Sequence, residues 1–397
     1  MLSCRLTKLK TKRTLLPIAI QTVSRFLSFH KLQNRRMATA IDSKYTDKKG
    51  AFKRSDSKHR HFISIENPDF LPEADRYHLH IALACPWADG VLAMLYLKGL
   101  DHAISHSIVH PTWAKTKPDD DSDAHFGWVY RNPGDEPLSN PLGHGSFKCD
   151  DTLVPDMFTN VSSVRELYNL CGDQSGPFTT PLLYCKKTKT IVSNESTEIL
   201  RMLNFEFNGT VNVNGSGISK HPDLNLYPAN LEDELKDLND SLVYPKVNNG
   251  VYRCGFARSQ EAYDEAVKDL FDALEVLEVK LDKKRYLGGE TFTWLDLRLF
   301  MTLVRFDPVY ITYFKTNKKR IADYPNLLGF VRDVYSIQDI QKAINMDHIK
   351  THYFTSHPAL NTYGIIPCYD GPDLSVVHNR EKMERKWLHC FTLNNKE

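Results

Sequence analysis

Residues 77–83 read Tyr-His-Leu-His-Ile-Ala-Leu, an alternation that passes into an apolar run and predicts a strand. Pro86 through Lys98 follows as a helix. Proline stands in its first turn, where a missing N–H costs nothing, and Gly99 closes it. Ala103–Val109 predicts a second strand, so the three segments form a βαβ unit. Residues 110–157 read as loop, with an acidic stretch at Asp119–Asp123 and a turn at Asn132-Pro133-Gly134. Val161–Leu170 predicts a short helix, Leu182–Cys185 and Thr190–Val192 a hairpin, and Ser193-Asn194-Glu195-Ser196 the opening of a helix that runs to about Phe205.

From Pro228 onward the period changes to that of helices. Leu231, Leu235, Leu238 and Leu242 follow an i, i+4, i+7 pattern, and residues 262–281 continue it on a second helix. Thr293-Trp294-Leu295-Asp296 ahead of Leu297, Leu299, Phe300 and Leu303 is a capping box. The chain therefore divides into an α/β domain over 76–210 and an all-helical domain over 228–350. An extended polar segment over 37–75 precedes them and an irregular tail over 351–397 follows.

Charge narrows the function. The 51 Lys+Arg nearly balance 49 Asp+Glu, which argues against a general nucleic-acid binder, because such proteins need a basic face to displace counterions. No run of 18 apolar residues could span a bilayer. The eight cysteines form neither a CxxC pair nor a zinc spacing, and read as free thiols. Residues 1–36 stand apart. They hold nine basic and no acidic side chains, with Ser, Thr and short apolar pieces between them, the composition of a mitochondrial presequence. A basic tail, or sequence upstream of a start at Met37, has the same composition. The expected location is mitochondrial, cytoplasmic or both.

Cys85, in Leu83-Ala84-Cys85-Pro86-Trp87-Ala88, falls between a strand end and a helix start. Free N–H groups and the positive end of the helix dipole favour a thiolate there and are expected to bring the thiol below its usual value of about 8.5. No second cysteine stands at position 88, so a mixed disulfide on Cys85 must be resolved by an external thiol, such as glutathione. The alternative is a small buried side chain, a common fate of a lone cysteine.

Residues 77–100 (YHLHIALACPWADGVLAMLYLKGL), with 191–199 (IVSNESTEI), 250–257 (GVYRCGFA), 303–310 (LVRFDPVY) and 346–354 (MDHIKTHYF), resemble the glutathionyl-hydroquinone reductases. These are the Xi class of glutathione transferases, close to the fungal omega-like enzymes. The resemblance covers about residues 60–370. It implies an α/β plus all-α fold, with a thioredoxin-like N-terminal domain and an all-helical C-terminal domain. It also implies reduction of glutathionyl-quinol adducts through a cysteine–glutathione mixed disulfide. On this resemblance Cys85 is the redox cysteine, and Thr180-Pro181 is the cis-proline turn that meets glutathione's cysteinyl unit. Glu195-Ser196 holds the γ-glutamyl end, Trp128 in His125-Phe126-Gly127-Trp128 is an aromatic wall beside glutathione, and Tyr252 and Tyr353 face the quinol. Glutathione is then a co-substrate, no metal is involved, small quinols or disulfides are the other substrates, and the chain forms a homodimer. Two alternatives stay open. One is an omega-like transferase acting on dehydroascorbate or on protein–glutathione disulfides, and the other is a non-catalytic glutathione-transferase-like binding module.

One departure bears on chemistry. The family reads Cys-Pro-Trp-Ala-His-Arg, and here Asp89-Gly90 stands in place of His-Arg. An acid in the first turn is expected to raise the Cys85 thiol, and Gly90 to weaken the helix by about 1 kcal/mol relative to alanine. Asp119–Asp123 is expected to add negative charge near the glutathione pocket.

Overall fold

The computed structural model describes residues 46–209 and 217–386. The basic segment 1–36 lies outside them. The first domain is built on a four-stranded sheet of β1 (Tyr77–Ile81), β2 (Ser105–Ile108), β3 (Leu182–Cys185) and β4 (Thr190–Ser193), in the order β2-β1-β3-β4. β1 pairs parallel with β2 and antiparallel with β3, which in turn pairs antiparallel with β4. The parallel pair requires a crossover, supplied by α1 (Pro86–Leu97). α2 (Val164–Leu170) and α3 (Ser196–Phe205) complete the domain.

The alternation read along β1 sorts its side chains between two cores. Tyr77, Leu79 and Ile81 join the large core with Leu92 and Leu95 of α1 and Ile199 and Leu203 of α3. On the other side Leu182, Tyr184 and Ile191 join Val164 and Leu167 of α2. His78 and His80 are buried as well, which the sheet tolerates because each finds a partner. His78 bridges the hydroxyls of Ser105 and Ser107, both at 2.7 Å, and His80 Nδ1 meets the Tyr130 hydroxyl at 2.7 Å. Burial pushes the His80 imidazole down to about 3, so it is neutral at physiological pH.

The second domain is helical. α4 (Glu232–Leu238) runs into a π-helical stretch, Asn239–Asn248, where a single regular helix was expected. Pro245 lies inside it, lacks an N–H and would clash with a preceding carbonyl in a regular helix; the wider turns accommodate it. α5 (Gly250–Gly255) carries Tyr252. α6 (Gln260–Lys283) starts where Ser259 Oγ accepts from Ala262 N at 3.1 Å, and buries Ala266, Leu270, Leu274, Leu277 and Leu281 as one stripe. α7 (Trp294–Leu303) has the expected capping box, in which Asp296 accepts from Thr293 N at 2.9 Å and from its hydroxyl at 2.6 Å. All ten of its residues are buried, so α7 is the central helix of the domain. α8 (Pro325–Tyr335) and α9 (Met346–Thr355) follow.

Two segments depart from the sequence reading. The tail boundary at 351 cuts through α9, a helix that Asn345 caps by accepting from His348 N at 2.9 Å. Ile349, Tyr353 and Phe354 anchor it in the core, so Tyr353 sits on a buried helix and not in a tail. Farther along, Arg380 is buried and donates to the carbonyls of Leu281 and Arg285 at 3.0 and 2.8 Å, which docks the irregular chain against α6. The polar segment ahead of β1 is also more than a spacer. His61 N donates to Val192 O at 2.9 Å, and Asn194 N donates to His59 O at 3.1 Å. The chain there covers the open edge of β4, whose backbone groups would otherwise be free to pair with another molecule.

Candidate active site

Cys85 is the N-cap of α1, with extended backbone angles and Pro86 at the first helical position. Its carbonyl accepts the first helical bonds, from Ala88 N at 3.0 Å and Asp89 N at 2.9 Å. Its Sγ is directed to the carbonyl oxygen of Thr180, 3.5 Å away, and the Thr180–Pro181 peptide is cis. Two stretches of sequence 95 residues apart are thus brought to one point.

Beside them lies a cleft of about 140 Å³. Trp87, Thr180, Pro181, Glu195 and Ser196 line it, together with Arg54 from the segment ahead of β1 and Arg298 from α7. Glu195 caps α3. One of its oxygens accepts from Thr197 N at 3.1 Å, and the other accepts from the Ser57 hydroxyl at 3.0 Å. The start of α3 therefore presents a carboxylate, a hydroxyl and the positive end of a helix within one turn. Such a set suits a ligand group that carries an ammonium and a carboxylate together.

Tyr252 and Tyr353, 101 residues apart, meet hydroxyl to hydroxyl at 2.7 Å. Tyr310 joins them, its hydroxyl 3.2 Å from that of Tyr353. Burial pushes all three phenols up, and the Cys85 charge adds to that for Tyr252. The cluster is therefore protonated at neutral pH and can donate hydrogen bonds. Tyr310 was inside a recognised motif, but a tyrosine at the end of a short π-helical stretch gives no sign in sequence that it will face two others.

Trp128 is placed differently. It is buried and stacked on His352, with ring centroids 4.4 Å apart, and it meets Trp113 edge-on at 5.7 Å. It belongs to the apolar cluster against which Cys85 packs, and it is not among the residues that line the cleft. The tryptophan on the cleft wall is Trp87.

The electrostatics of Cys85 differ from those expected of a helix start. Hydrogen bonds from the Ala88 and Trp87 amides and the charge of Arg54 do pull the thiol down, but burial outweighs them and the net shift is upward. Asp89 is the smallest of the named influences. The reason is its partner. Asp89 is fully buried and ion-paired with Arg305, which is itself fully buried. The acid that replaces the family's histidine is thus offset by a guanidinium from the other domain. Asp119 and Asp121 are exposed and Asp123 pairs with Arg165 at 2.7 Å, so the acidic loop does not line the cleft.

Comparison with known proteins agrees with this geometry. Residues 84–205 match the model of the glutathione S-transferase N-terminal domain, and residues 260–333 that of the C-terminal domain. The glutathionyl-hydroquinone reductase YqjG of Escherichia coli is 42% identical over 352 residues, covering 86% of this chain and 95% of that protein. Its glutathione-bound structure superposes with a TM-score of 0.69 at 40% identity, covering 82% of this chain and 96% of that one. The glutathione S-transferase Xi of Phanerochaete chrysosporium gives a TM-score of 0.69 at 39% identity, covering 82% of this chain and 99% of that one. A thiol at the start of α1, beside a cis-proline turn and a cleft with an acid and a hydroxyl at a helix start, is what these relatives would need for glutathione, and the chain belongs to the glutathione transferase family, in the Xi class with the glutathionyl-hydroquinone reductases.

Proposed function

We propose that this chain reduces glutathionyl-hydroquinones by thiol transfer through Cys85. The observation that carries the reading is the Cys85 thiol held at a helix start and directed to Thr180, packed against the same core as Tyr252, whose hydroxyl meets that of Tyr353.

The chemistry balances in two exchanges. A glutathionyl-quinol first tautomerises to the keto form, so that the carbon bearing sulfur is saturated and lies beside a carbonyl. The Cys85 thiolate attacks the glutathione sulfur. An S–S bond forms, the C–S bond breaks, and its electron pair passes into the ring as a phenolate, which takes a proton to give the hydroquinone. The tyrosine hydroxyls supply hydrogen bonds to the oxygen that becomes negative. A second glutathione thiolate then attacks the glutathione sulfur of the mixed disulfide, releasing oxidised glutathione and the Cys85 thiolate.

A mixed disulfide of glutathione with a small thiol has a thiolate leaving group and needs no polarised oxygen. Tyr252→Phe and Tyr353→Phe are therefore expected to slow reduction of a glutathionyl-hydroquinone by about 10²-fold while changing reduction of the small mixed disulfide little. Steady-state rates on the two substrates decide this. Equal losses would assign the tyrosines to glutathione binding or to packing.

We also propose that residues 1–36 address the chain to mitochondria, on the strength of nine basic and no acidic side chains. A fluorescent reporter carrying residues 1–40 is expected to enter mitochondria. A diffuse cytosolic signal would leave the segment as a basic tail.

A further inference from the structure

Just ahead of the residues that line the cleft, the chain makes a tight hairpin. The Asp47 carboxylate accepts from Lys49 N at 2.8 Å and from Ala51 N at 2.9 Å, and Gly50 takes the left-handed conformation that the turn requires. The hairpin is seated on the corner between α5 and α6. Arg258 N donates to Gly50 O at 3.0 Å, and the Ser259 hydroxyl donates to Lys49 O at 3.1 Å. The fit is close, since a Cβ at position 50 would lie 3.1 Å from that of Arg258. Phe52 pairs with Thr46 across the turn and is thereby fixed against α5.

The Phe52 ring lies at 25° to that of Tyr252, centroids 6.3 Å apart, and at 29° to that of Phe256, centroids 5.6 Å apart. Tyr252 and Phe256 are at 19° to each other. Three near-parallel rings are thus assembled from the hairpin and α5, and all three are half-buried. Deeper in the cluster the arrangement changes. Tyr310 and Phe314 are buried and meet the Tyr353 ring at 88° and 85°, edge to face. Edge-on rings fill an interior. Parallel rings share one orientation, and that suits a flat ligand in offset stacking. The place fits as well. Tyr252 packs on the same core as Cys85, and two residues after Phe52 the Arg54 guanidinium carbon stands 4.7 Å from the Trp87 centroid at the cleft wall.

We infer that Phe52 is a specificity-determining residue for the quinol, its ring completing with Tyr252 and Phe256 an aromatic wall on which the ring of a glutathionyl-hydroquinone stacks. This rests on the proposed quinol reduction. Tyr252 then has two uses, a hydroxyl for the quinol oxygen and a ring face for stacking, whereas Phe52 has stacking alone. The substrate class follows from the wall. Two fused rings cover more of it than one, so two-ring quinols are favoured over one-ring quinols. Reading 37–75 as an extended polar segment passed over this residue. The available signal was a single aromatic ring between Asp47 and Ser57, in an otherwise polar run.

The test measures steady-state rates of the full chain on glutathionyl-naphthohydroquinone, glutathionyl-benzohydroquinone and the mixed disulfide of glutathione with mercaptoethanol. The native protein is expected to show the lower KM for the two-ring quinol. Phe52→Ala is expected to raise that KM by about tenfold and the one-ring KM by about threefold, with kcat within about twofold, the pattern of lost uniform binding. The mixed disulfide brings no ring, and its KM is expected to stay within about twofold. Phe52→Trp keeps a flat face and should keep the native order of the two quinols, while Phe52→Leu keeps apolar volume alone and should lose it. An equal rise in KM on all three substrates, or a fall in kcat at unchanged KM, would overturn the inference and make Phe52 a packing residue. If Phe52→Ala fails to fold, the Trp and Leu variants decide, and the same selectivity in both overturns it. Should the native protein reduce the mixed disulfide and neither quinol, the proposed function falls first and the wall with it.

Discussion

Cys85→Ser is expected to lose both quinol reduction and thiol transfer, by on the order of 10³-fold or more. The reason is the identity of the nucleophile. A serine hydroxyl in the same place stays protonated at neutral pH and cannot form a disulfide, so neither exchange has a first step. Its fold should be unaffected, since the Cys85 carbonyl accepts the first helical bonds and its N–H donates to Ala82 O, and the substitution leaves both in place. The other thiols are expected to be dispensable. Cys254 lies two residues from Tyr252 and is the closest rival in sequence, but it is fully buried and its thiol is pushed up to about 12. Cys254→Ser should therefore keep most activity. The pH dependence is set by burial. The Cys85 thiol is raised in the folded chain, so the thiolate is a minor species near neutrality and its fraction grows as pH rises. Alkylation of Cys85 by iodoacetamide, followed by mass spectrometry, should accelerate steadily from pH 6 to pH 9. A rate that is flat over that range would show a thiolate already formed, and activity retained in Cys85→Ser would remove the assignment.

What the sequence showed of this fold is what depends on local pattern. The alternation of 77–83, Pro86 and Gly99 around α1, and the Thr293–Asp296 box are signals within a few residues of one another, and each element formed near its expected place. The π-helical stretch was hidden because Pro245 falls inside an otherwise helical pattern, and the apolar period does not say whether the chain breaks or widens there. α9 was hidden because its buried face includes His348 and His352, polar residues that mask the apolar stripe. The site divides in the same way. Cys85, Thr180, Glu195 and Ser196 sit at element ends, which sequence can locate. Arg54, Arg298 and Tyr310 reach the site by tertiary contact with other elements, and their local sequence does not say which neighbours they will meet.

Asp89 shows how a sequence departure changes meaning once its partner is known. As a lone acid in the first turn it was expected to raise the Cys85 thiol. In the fold it is one half of a buried ion pair. Arg305 donates to Asp89, to Ala84 O at 3.2 Å and to Met301 O at 2.7 Å. One guanidinium thus links α1, the residue just before Cys85 and the end of α7. Removing one partner leaves an uncompensated charge in an apolar interior, which typically costs about 3–5 kcal/mol. Arg305→Met and Asp89→Leu are each expected to destabilise the chain on that scale. A basic residue at 89 should be worse, because it would set two cations side by side. The double variant Asp89→Leu/Arg305→Met removes both charges and is expected to recover most of the loss, since apolar replacement of a buried pair is often neutral. Urea denaturation of the four proteins measures the coupling directly. Additive losses would mean that the two charges do not depend on each other. Recovery of stability without recovery of the Cys85 alkylation rate would show a separate role for the Arg305–Ala84 hydrogen bond in positioning the thiol, because the double variant lacks that bond whatever its stability.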